Sequence, residues 1–338
     1  MDELERNLQE RDKVINELLQ RIEALERRVG VPRPAGAAPA ATPAEKVGRA
    51  PGTVVVEEGA AERALERSLT REGALLLPPG VLEVEPSFTY SRREEDAPTF
   101  IPSGGVVLAG KTERKADTLT ADLALRLGLP WSSQLELGLP YRWRKVESVT
   151  SVVFTPTDSS SQSAAGSGDV RVGLATTLLR EGLWRPDLVG RVTWDTDTGK
   201  RQDNAVSLGG GFHELRGSLT AVKRQDPVAF VGGLAYQHSF EKDQLRPGRT
   251  ISANFGSFIA LSPETSLHLA LSGAYQKETE FFGREIAGSD QTIATFVVGG
   301  STLLGRGILL NLLAATGLTK DADDFSITVS LPIRFDGM

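Results

Sequence analysis

The chain has 338 residues, of which 40% are hydrophobic and 24% charged, and its formal net charge is −6. This balance excludes a disordered chain, and no run approaches the roughly 18 consecutive apolar residues that a membrane-spanning helix needs. The absence of cysteine excludes disulfides, thiolate metal sites and cysteine nucleophiles. The mild acidity argues against nucleic acid as a partner.

A heptad pattern occupies residues 1–30. Core residues alternate at spacings of four and three: Met1, Leu8, Ile15, Ile22 and Val29 at one position, and Leu4, Arg11, Leu18 and Leu25 at the other. About four heptads predict a coiled coil, and since so short a helix is marginal in water by itself, they also predict self-association. A solvated helix lying on the body of the protein is the alternative.

The order of the oligomer depends on the residues that flank this core. Isoleucine at the first core position with leucine at the second favours two strands. The run Arg21–Glu26 (RIEALE) resembles the trimerisation motif of short coiled coils, in which an arginine before the core isoleucine reaches a glutamate of a neighbouring helix. We therefore predict a homotrimer. The residues expected to form its contact are Ile15, Leu18, Arg21, Ile22, Leu25, Glu26 and Val29.

A linker rich in proline and alanine follows at residues 31–56 and predicts an extended, flexible tether. Residues 57–80 then predict a short amphipathic helix and its lead-in to the first strand, with Gly73 where a C-cap glycine belongs. One face of this helix carries Ala61, Leu65, Ser68, Leu69 and Glu72. The helix either plugs and gates the lumen of the domain that follows or lies against its periplasmic rim, and a capping helix with no gating role is the plain alternative.

Residues 81–338 predict strands throughout. In the last segment, apolar residues at Phe325, Ile327, Val329, Leu331, Ile333 and Phe335 alternate with polar ones, which places the two sets on opposite faces of a sheet. About twelve such segments have the length and alternation of transmembrane barrel strands. The fold class is therefore all-β: an antiparallel transmembrane β-barrel of about 12 strands, with an N-terminal coiled coil and a short plug helix.

The connections alternate between tight turns and long polar loops, as they do in outer-membrane barrels. Aromatic residues near the strand ends predict interfacial girdles: Tyr90, Trp131, Tyr141, Trp143, Trp194, Tyr236, Phe240 and Tyr275. We expect a bacterial outer-membrane location, contact with outer-membrane lipid, and a periplasmic coiled coil. Because Met1 leads directly into acidic residues, the export signal is expected to have been removed from this chain.

If the apolar faces meet lipid, a set of charged side chains faces the lumen. These candidate pore-lining residues are Glu83, Glu85, Arg126, Glu136, Arg142, Arg144, Arg171, Arg191 and Asp195. Since both signs are present, the set predicts either a rigid network of ion pairs or a conducting path.

Several blocks resemble the phenol meta-pathway-type outer-membrane family, which includes the export channel of functional-amyloid systems. They are residues 61–92 (AERALERSLTREGALLLPPGVLEVEPSFTYSR), the Asp226-Pro227 turn with residues 228–241, the turn at residues 262–265, and residues 324–335 (DFSITVSLPIRF). The resemblance implies a trimeric coiled coil, a flexible linker, a lumenal plug at residues 61–71 and a twelve-stranded barrel.

Catalytic and cofactor motifs are not evident. His213, His238 and His268 lie on separate predicted strands without ligand spacing, so no metal, no cofactor and no enzymatic activity are expected.

Three functions remain open. The first is a plug-gated trimeric channel that moves a polypeptide of the functional-amyloid subunit type to the cell surface. The second is an uptake channel for small hydrophobic or aromatic molecules, and the third is a structural anchor for the coiled coil.

Overall fold

The computed structural model describes residues 65–66, 68–70, 73–103, 106–152, 155–204, 206–209, 211–304 and 308–335. The predicted coiled coil and its trimer contact, the linker, and Ala61 and Glu72 of the predicted plug face lie outside the described residues. Within the described residues, no helix is both long and apolar enough to cross a bilayer.

Strands make up nearly all of the described chain. The first ten are β1 (Leu82–Ser103), β2 (Val106–Leu129), β3 (Ser133–Val152), β4 (Thr155–Ser167), β5 (Arg171–Leu179), β6 (Asp187–Asp195), β7 (Gln202–Asp203), β8 (Val206–Ser207), β9 (Glu214–Gln225) and β10 (Val228–Ser239). The remaining ones are β11 (Leu245–Arg246), β12 (Thr250–Ala260), β13 (Thr265–Gln276), β14 (Glu280–Phe281), β15 (Arg284–Glu285), β16 (Gln291–Leu304), β17 (Ile308–Gly317), β18 (Phe325–Ser330) and β19 (Ile333–Phe335).

The long strands close into a twelve-stranded antiparallel barrel, which confirms the predicted strand count and fold class. Around the wall the order is β1, β2, β3, β5, β6, β9, β10, β12, β13, β16, β17 and β18. β4 and β5 pair with successive parts of β3 and together form one barrel strand, as do β18 and β19 against β1. The seam runs from Arg92 opposite Phe325 to Leu82 opposite Phe335, so the last residues of the barrel pair with its first.

The outer surface of this wall is an apolar belt. Large apolar side chains are exposed on it around the barrel, at Leu119, Leu139, Leu174, Leu219, Leu234, Phe255, Leu271, Phe296, Leu312 and Ile327. Their neighbours in sequence point inward, because successive side chains of a strand alternate between faces. A closed wall also satisfies the backbone hydrogen bonds, which a bilayer requires. The fold is thus a transmembrane β-barrel, and the belt is its lipid-facing surface.

The two ends of the barrel differ. One end, the turn end, carries both termini of the barrel and tight turns such as residues 130–132, 226–227 and 261–264. Trp131 and Trp184 are 92% and 90% exposed at this end. The other, the loop end, carries the longer connections and an aromatic row that includes Trp143, Trp194 and Tyr275. Short turns face the periplasm and long loops the exterior in barrels of this type.

The wall is taller on one side of the loop end. β1, β2 and β3 contain 22, 24 and 20 residues, roughly twice the length of β10 or β12. Pairing between β1 and β2 continues to Ser103 opposite Val106, and β3 pairs with β4 as far as Val152 opposite Thr155. These four strands therefore form a sheet that projects beyond the rest of the barrel.

Neighbouring residues on β13 test the assignment of the two faces. Leu271 is 52% exposed on the apolar belt, whereas Ala270 lines the lumen. We expect Leu271→Arg to lower the free energy of unfolding in vesicles by about 2–4 kcal/mol, because it places a guanidinium in hydrocarbon. The matched Ala270→Arg change should cost far less. The measurement is a denaturant titration of the barrel in lipid vesicles, and equal losses for both variants would contradict the assignment.

Candidate functional site: the lumen and its N-terminal segment

The described helical residues before the first strand, 65–66 and 68–70, contact the inner wall of the barrel. Leu65 and Leu69 are 2% and 0% exposed. They join Ala74 in a cluster with lumen-facing residues of β9, β10 and β12, namely Val222, Ala229, Val231 and Phe258. The Ser68 hydroxyl lies 2.6 Å from the Ser266 Oγ and 3.0 Å from the Ser301 Oγ, and so reaches β13 and β16. The three described residues of the predicted plug face therefore all meet the inner wall.

The chain that continues from this helix to β1 is tied to two other strands of the wall, β6 and β3. The Arg191 guanidinium on β6 donates to the carbonyl oxygen of Gly73 at 3.1 Å, and the Leu77 amide donates to the Gln134 Oε1 at 3.0 Å. Gly73 has a φ of +67°, which favours glycine, and a Cβ there would collide with the Arg191 side chain. The segment made of these helical residues and residues 73–80, called the N-terminal segment below, is thus held by several strands of the wall.

A cluster of charges joins this segment to the turn end. The Arg224 Nη1 lies 3.6 Å from the Glu66 Oε1, and its Nε lies 2.7 Å from Glu181 in the turn between β5 and β6. Burial raises the pKa of the Glu181 carboxyl, but hydrogen bonds from Arg224 and Lys223 outweigh it and hold the pKa below its usual value. Glu181 therefore stays ionised and keeps Arg224 in place beside Glu66.

Two cavities lie on different faces of the N-terminal segment. The lumenal cavity has a volume of about 890 Å³ and is lined by Gly73 together with residues of the barrel wall. The turn-end cavity has a volume of about 750 Å³ and is lined by Glu66, Thr70 and residues 75–79. The segment contributes lining residues to both cavities, and none of the described residues lines both.

Most of the charged residues that the sequence places in the lumen line the lumenal cavity. They are Glu85, Arg126, Glu136, Arg171, Arg191 and Asp195. Glu83 lies behind them and is 1% exposed. The cavity is also lined by Asp122 and Arg216, which are not among the predicted pore-lining residues although both fall on lumen-facing positions of the same alternation.

Ion pairs neutralise much of this set. The Arg126 Nη1 lies 2.7 Å from both Glu83 and Glu85, and the Arg334 Nε lies 2.8 Å from the other oxygen of Glu83. The Arg191 Nε lies 3.0 Å from Glu136. Arg171 pairs with Asp122 on β2. Such pairs brace the strands that carry them, which favours the paired-network interpretation for this part of the wall.

Arg142 and Arg144 have a different environment from the other predicted pore-lining residues. Arg142 donates to the carbonyl oxygen of Leu208, and Arg144 donates to that of Ser207 at 3.0 Å. Leu208 and Val206 pack against Ala164 and Val146 on the lumen-facing side of β3 and β4. These arginines therefore anchor the loop between β6 and β9, which folds over the inner wall at the loop end.

Asp169 holds the same loop at two points. Its carboxylate accepts hydrogen bonds from the Gly199 and Gly211 amides, both at 2.7 Å. The sequence predicts only a polar connection between β6 and β9. The inward course of this loop could not be predicted, because it depends on contacts between residues far apart in the chain.

The histidines are dispersed. Each has its own aromatic neighbour: His213 lies near Trp194, His238 near Phe240, and His268 stacks on Phe258 with ring centroids 4.2 Å apart. Over the described ranges, no group of three or more acidic or histidine side chains is placed to hold a metal ion.

A closed barrel with an apolar outer belt and a charged lumen defines the class of transmembrane β-barrels. In keeping with this, the fold is similar to that of the COG4313 outer membrane channel from Pseudomonas putida F1, with a TM-score of 0.57, 15% sequence identity, and coverage of 77% of this chain and 97% of that one. No protein-family profile matches the sequence.

Two further proteins align with this chain more distantly. The CymD monoaromatic hydrocarbon channel aligns with a TM-score of 0.38 and 9% identity, over 84% of this chain and 94% of that one. The translocator domain of the autotransporter NalP from Neisseria meningitidis aligns with a TM-score of 0.33 and 12% identity, over 84% of this chain and all of that one.

The Glu83–Arg126–Glu85 network predicts a specific pattern of stability. Arg126→Met should lower the free energy of unfolding by about 3 kcal/mol, because it removes the guanidinium that pairs with both buried carboxylates, Glu83 and Glu85. Adding Glu85→Gln should restore much of the loss, since Glu83 keeps Arg334. Denaturant titrations of the wild type, the single variant and the double variant in vesicles provide the measurement. A double variant that is less stable than the single one would contradict this account.

Proposed function

We propose that the chain is a channel of the bacterial outer membrane whose lumen is closed at the turn end by residues 57–80. The observation that carries this proposal is the burial of Leu65 and Leu69 against the inner wall, with Ser68 bonded to the next strands of the wall, β13 and β16. The segment also contributes lining residues to both the lumenal and the turn-end cavity, which supports the proposal further. The turn end faces the periplasm in this proposal.

The contacts of the segment are compatible with release. Burial of two leucines contributes about 1.5–3 kcal/mol each, and the described polar contacts are single hydrogen bonds and a partly exposed ion pair. The total free energy of these contacts is of the size that the binding of a cargo or a partner can offset. A wall of continuous strand pairing, by contrast, does not open at such a cost.

A small solute is the cargo that the geometry favours. With the N-terminal segment in place, the lumenal cavity has a volume of about 890 Å³, which lies within the range of sites for small molecules. The mixture of ion pairs and apolar surface in its wall suits solutes with both polar and apolar parts. Uptake of such a solute is therefore the first form of the proposed function.

Export of a polypeptide is the second form, and a sequence feature favours it. The heptads of residues 1–30 and the resemblance of residues 61–92 to the family that includes the functional-amyloid export channel would place a coiled coil in the periplasm, where it can meet a secreted chain. An extended polypeptide would need the whole N-terminal segment to leave the lumen. The homotrimer belongs to this proposal as well.

Disrupting the leucine contact should open the channel. Leu69→Asp places a carboxylate among Val222, Val231 and Phe258, where burial of the charge is costly, so the segment should leave the wall. We expect single-channel conductance in planar bilayers to rise several-fold above that of the wild type.

Leu183→Asp is the matched control for this variant, because Leu183 is 86% exposed at the same end of the barrel. Its conductance should equal that of the wild type. If Leu69→Asp folds in vesicles but stays as silent as the wild type, the channel proposal fails and the anchor function is favoured.

The trimer has a separate test. Replacing Ile15 and Ile22 with aspartate puts charge into the predicted coiled-coil core and should convert a trimer into monomers. Light scattering of the detergent-solubilised full chain gives the mass. Glu23→Gln, which leaves the predicted core intact, should remain trimeric. A monomeric wild type would refute the prediction.

A further inference from the structure

Charge is distributed unevenly around the lumenal cavity. Among the described lining residues, every carboxylate and every guanidinium belongs to one continuous arc of the wall, β1 to β9, and the members are Glu85, Asp122, Arg126, Glu136, Arg171, Arg191, Asp195 and Arg216. We call this the charged arc. It covers one side of the cavity.

The other side of the cavity is neutral. Apart from His268, whose imidazole stacks on Phe258, the described lining residues from β10, β12, β13, β16 and β17 are small, apolar or uncharged polar ones, such as Val231, Ala235, Ala270 and Val297. We call this side the neutral arc. A solute in the cavity therefore meets ionic groups on one flank and mostly uncharged surface on the other.

Two charged residues of the lining differ from the others in their ion pairing. Arg126, Arg171 and Arg191 each pair with acidic neighbours on the same arc. Among the described residues, neither Asp195 nor Arg216 forms an ion pair within 4.0 Å. The two lie on adjacent strands, since Asp195 is opposite Glu214 and Arg216 is opposite Thr193. They are therefore diagonal neighbours across β6 and β9.

These two residues differ in how accessible they are. The Oδ1 atom of Asp195 is buried. Arg216 is exposed to the cavity and carries a guanidinium with five N–H donors. Arg216 is therefore the more exposed of the two, and the positive charge that it presents to a solute shares the cavity with an arc whose described residues include no carboxylate or guanidinium.

We propose that the lumenal cavity takes a small amphipathic carboxylate, with the carboxylate at Arg216 and the apolar body along the neutral arc. A guanidinium matches a carboxylate in a two-pronged hydrogen-bonded geometry, which an alcohol or an amine does not reproduce. This inference rests on the proposed function for its biological meaning, because it names the class of solute. Its test does not require the channel to open.

The experiment measures binding of hexanoate, 1-hexanol and hexylammonium to the full chain in detergent micelles by ligand-observed NMR. Signals from the micelles are subtracted by comparing variants at equal protein concentration. We expect the wild type to bind hexanoate most tightly. Arg216→Gln should weaken hexanoate binding about fivefold, the order expected for loss of one solvated ion pair, and Arg216→Lys should retain part of it.

Two more variants separate the position of the charge from the net charge. Arg284→Gln removes one positive charge from an exposed strand in an outer loop and should leave hexanoate binding unchanged. Ala270→Asp places an anion on the neutral arc and should weaken hexanoate while sparing hexylammonium.

Equal hexanoate binding by the wild type and Arg216→Gln would overturn the inference, as would a preference of the wild type for hexanol or hexylammonium. Failure of the proposed function has a different signature, because a silent Leu69→Asp channel is compatible with selective hexanoate binding. Conversely, Leu69→Asp could conduct while the wild type binds the three probes equally well. That result would overturn the inference about the solute and leave the channel proposal standing.

Discussion

Closure of the backbone hydrogen-bond ladder is the constraint on which the rest of this structure depends. In hydrocarbon there is no water to satisfy an unpaired strand edge, so the first barrel strand must find the last. β1 does so by pairing with β18 and β19, up to Leu82 opposite Phe335. Once the ring is closed, the alternation of each strand sends one set of side chains to lipid and the other to a confined interior.

The confined interior has consequences for charge and for volume. Ionic side chains that face it are shielded from bulk water, so they are stable mainly in pairs, and Glu83 between Arg126 and Arg334 shows this most clearly. The same interior is wide enough to hold the N-terminal segment. Paired charges on one arc and a neutral surface on the other together give the lumen its asymmetry.

The barrel could be predicted from the sequence because the period of two is a local signal. Phe325 to Phe335 reveals its two faces without knowledge of any other strand. The partners within the lumen could not be predicted in the same way, because Arg171 meets Asp122 only through the register of β2, β3 and β5. For Arg142, the alternation predicted that the side chain points inward. Its hydrogen bond to the Leu208 carbonyl could not be predicted, because it depends on the course of a distant loop.

The short connection between the helical residues of the N-terminal segment and the wall has a kinetic consequence. The Gly80 amide donates to the Gly128 carbonyl, and the Leu77 amide is held by Gln134, so the chain is anchored to the barrel only a few residues after the helix. Fewer than about ten residues separate the two, which limits the helix to a radius of about 30 Å from its anchor. Its return to the lumen would be a unimolecular event at an effective concentration in the millimolar range, independent of how many copies the membrane holds.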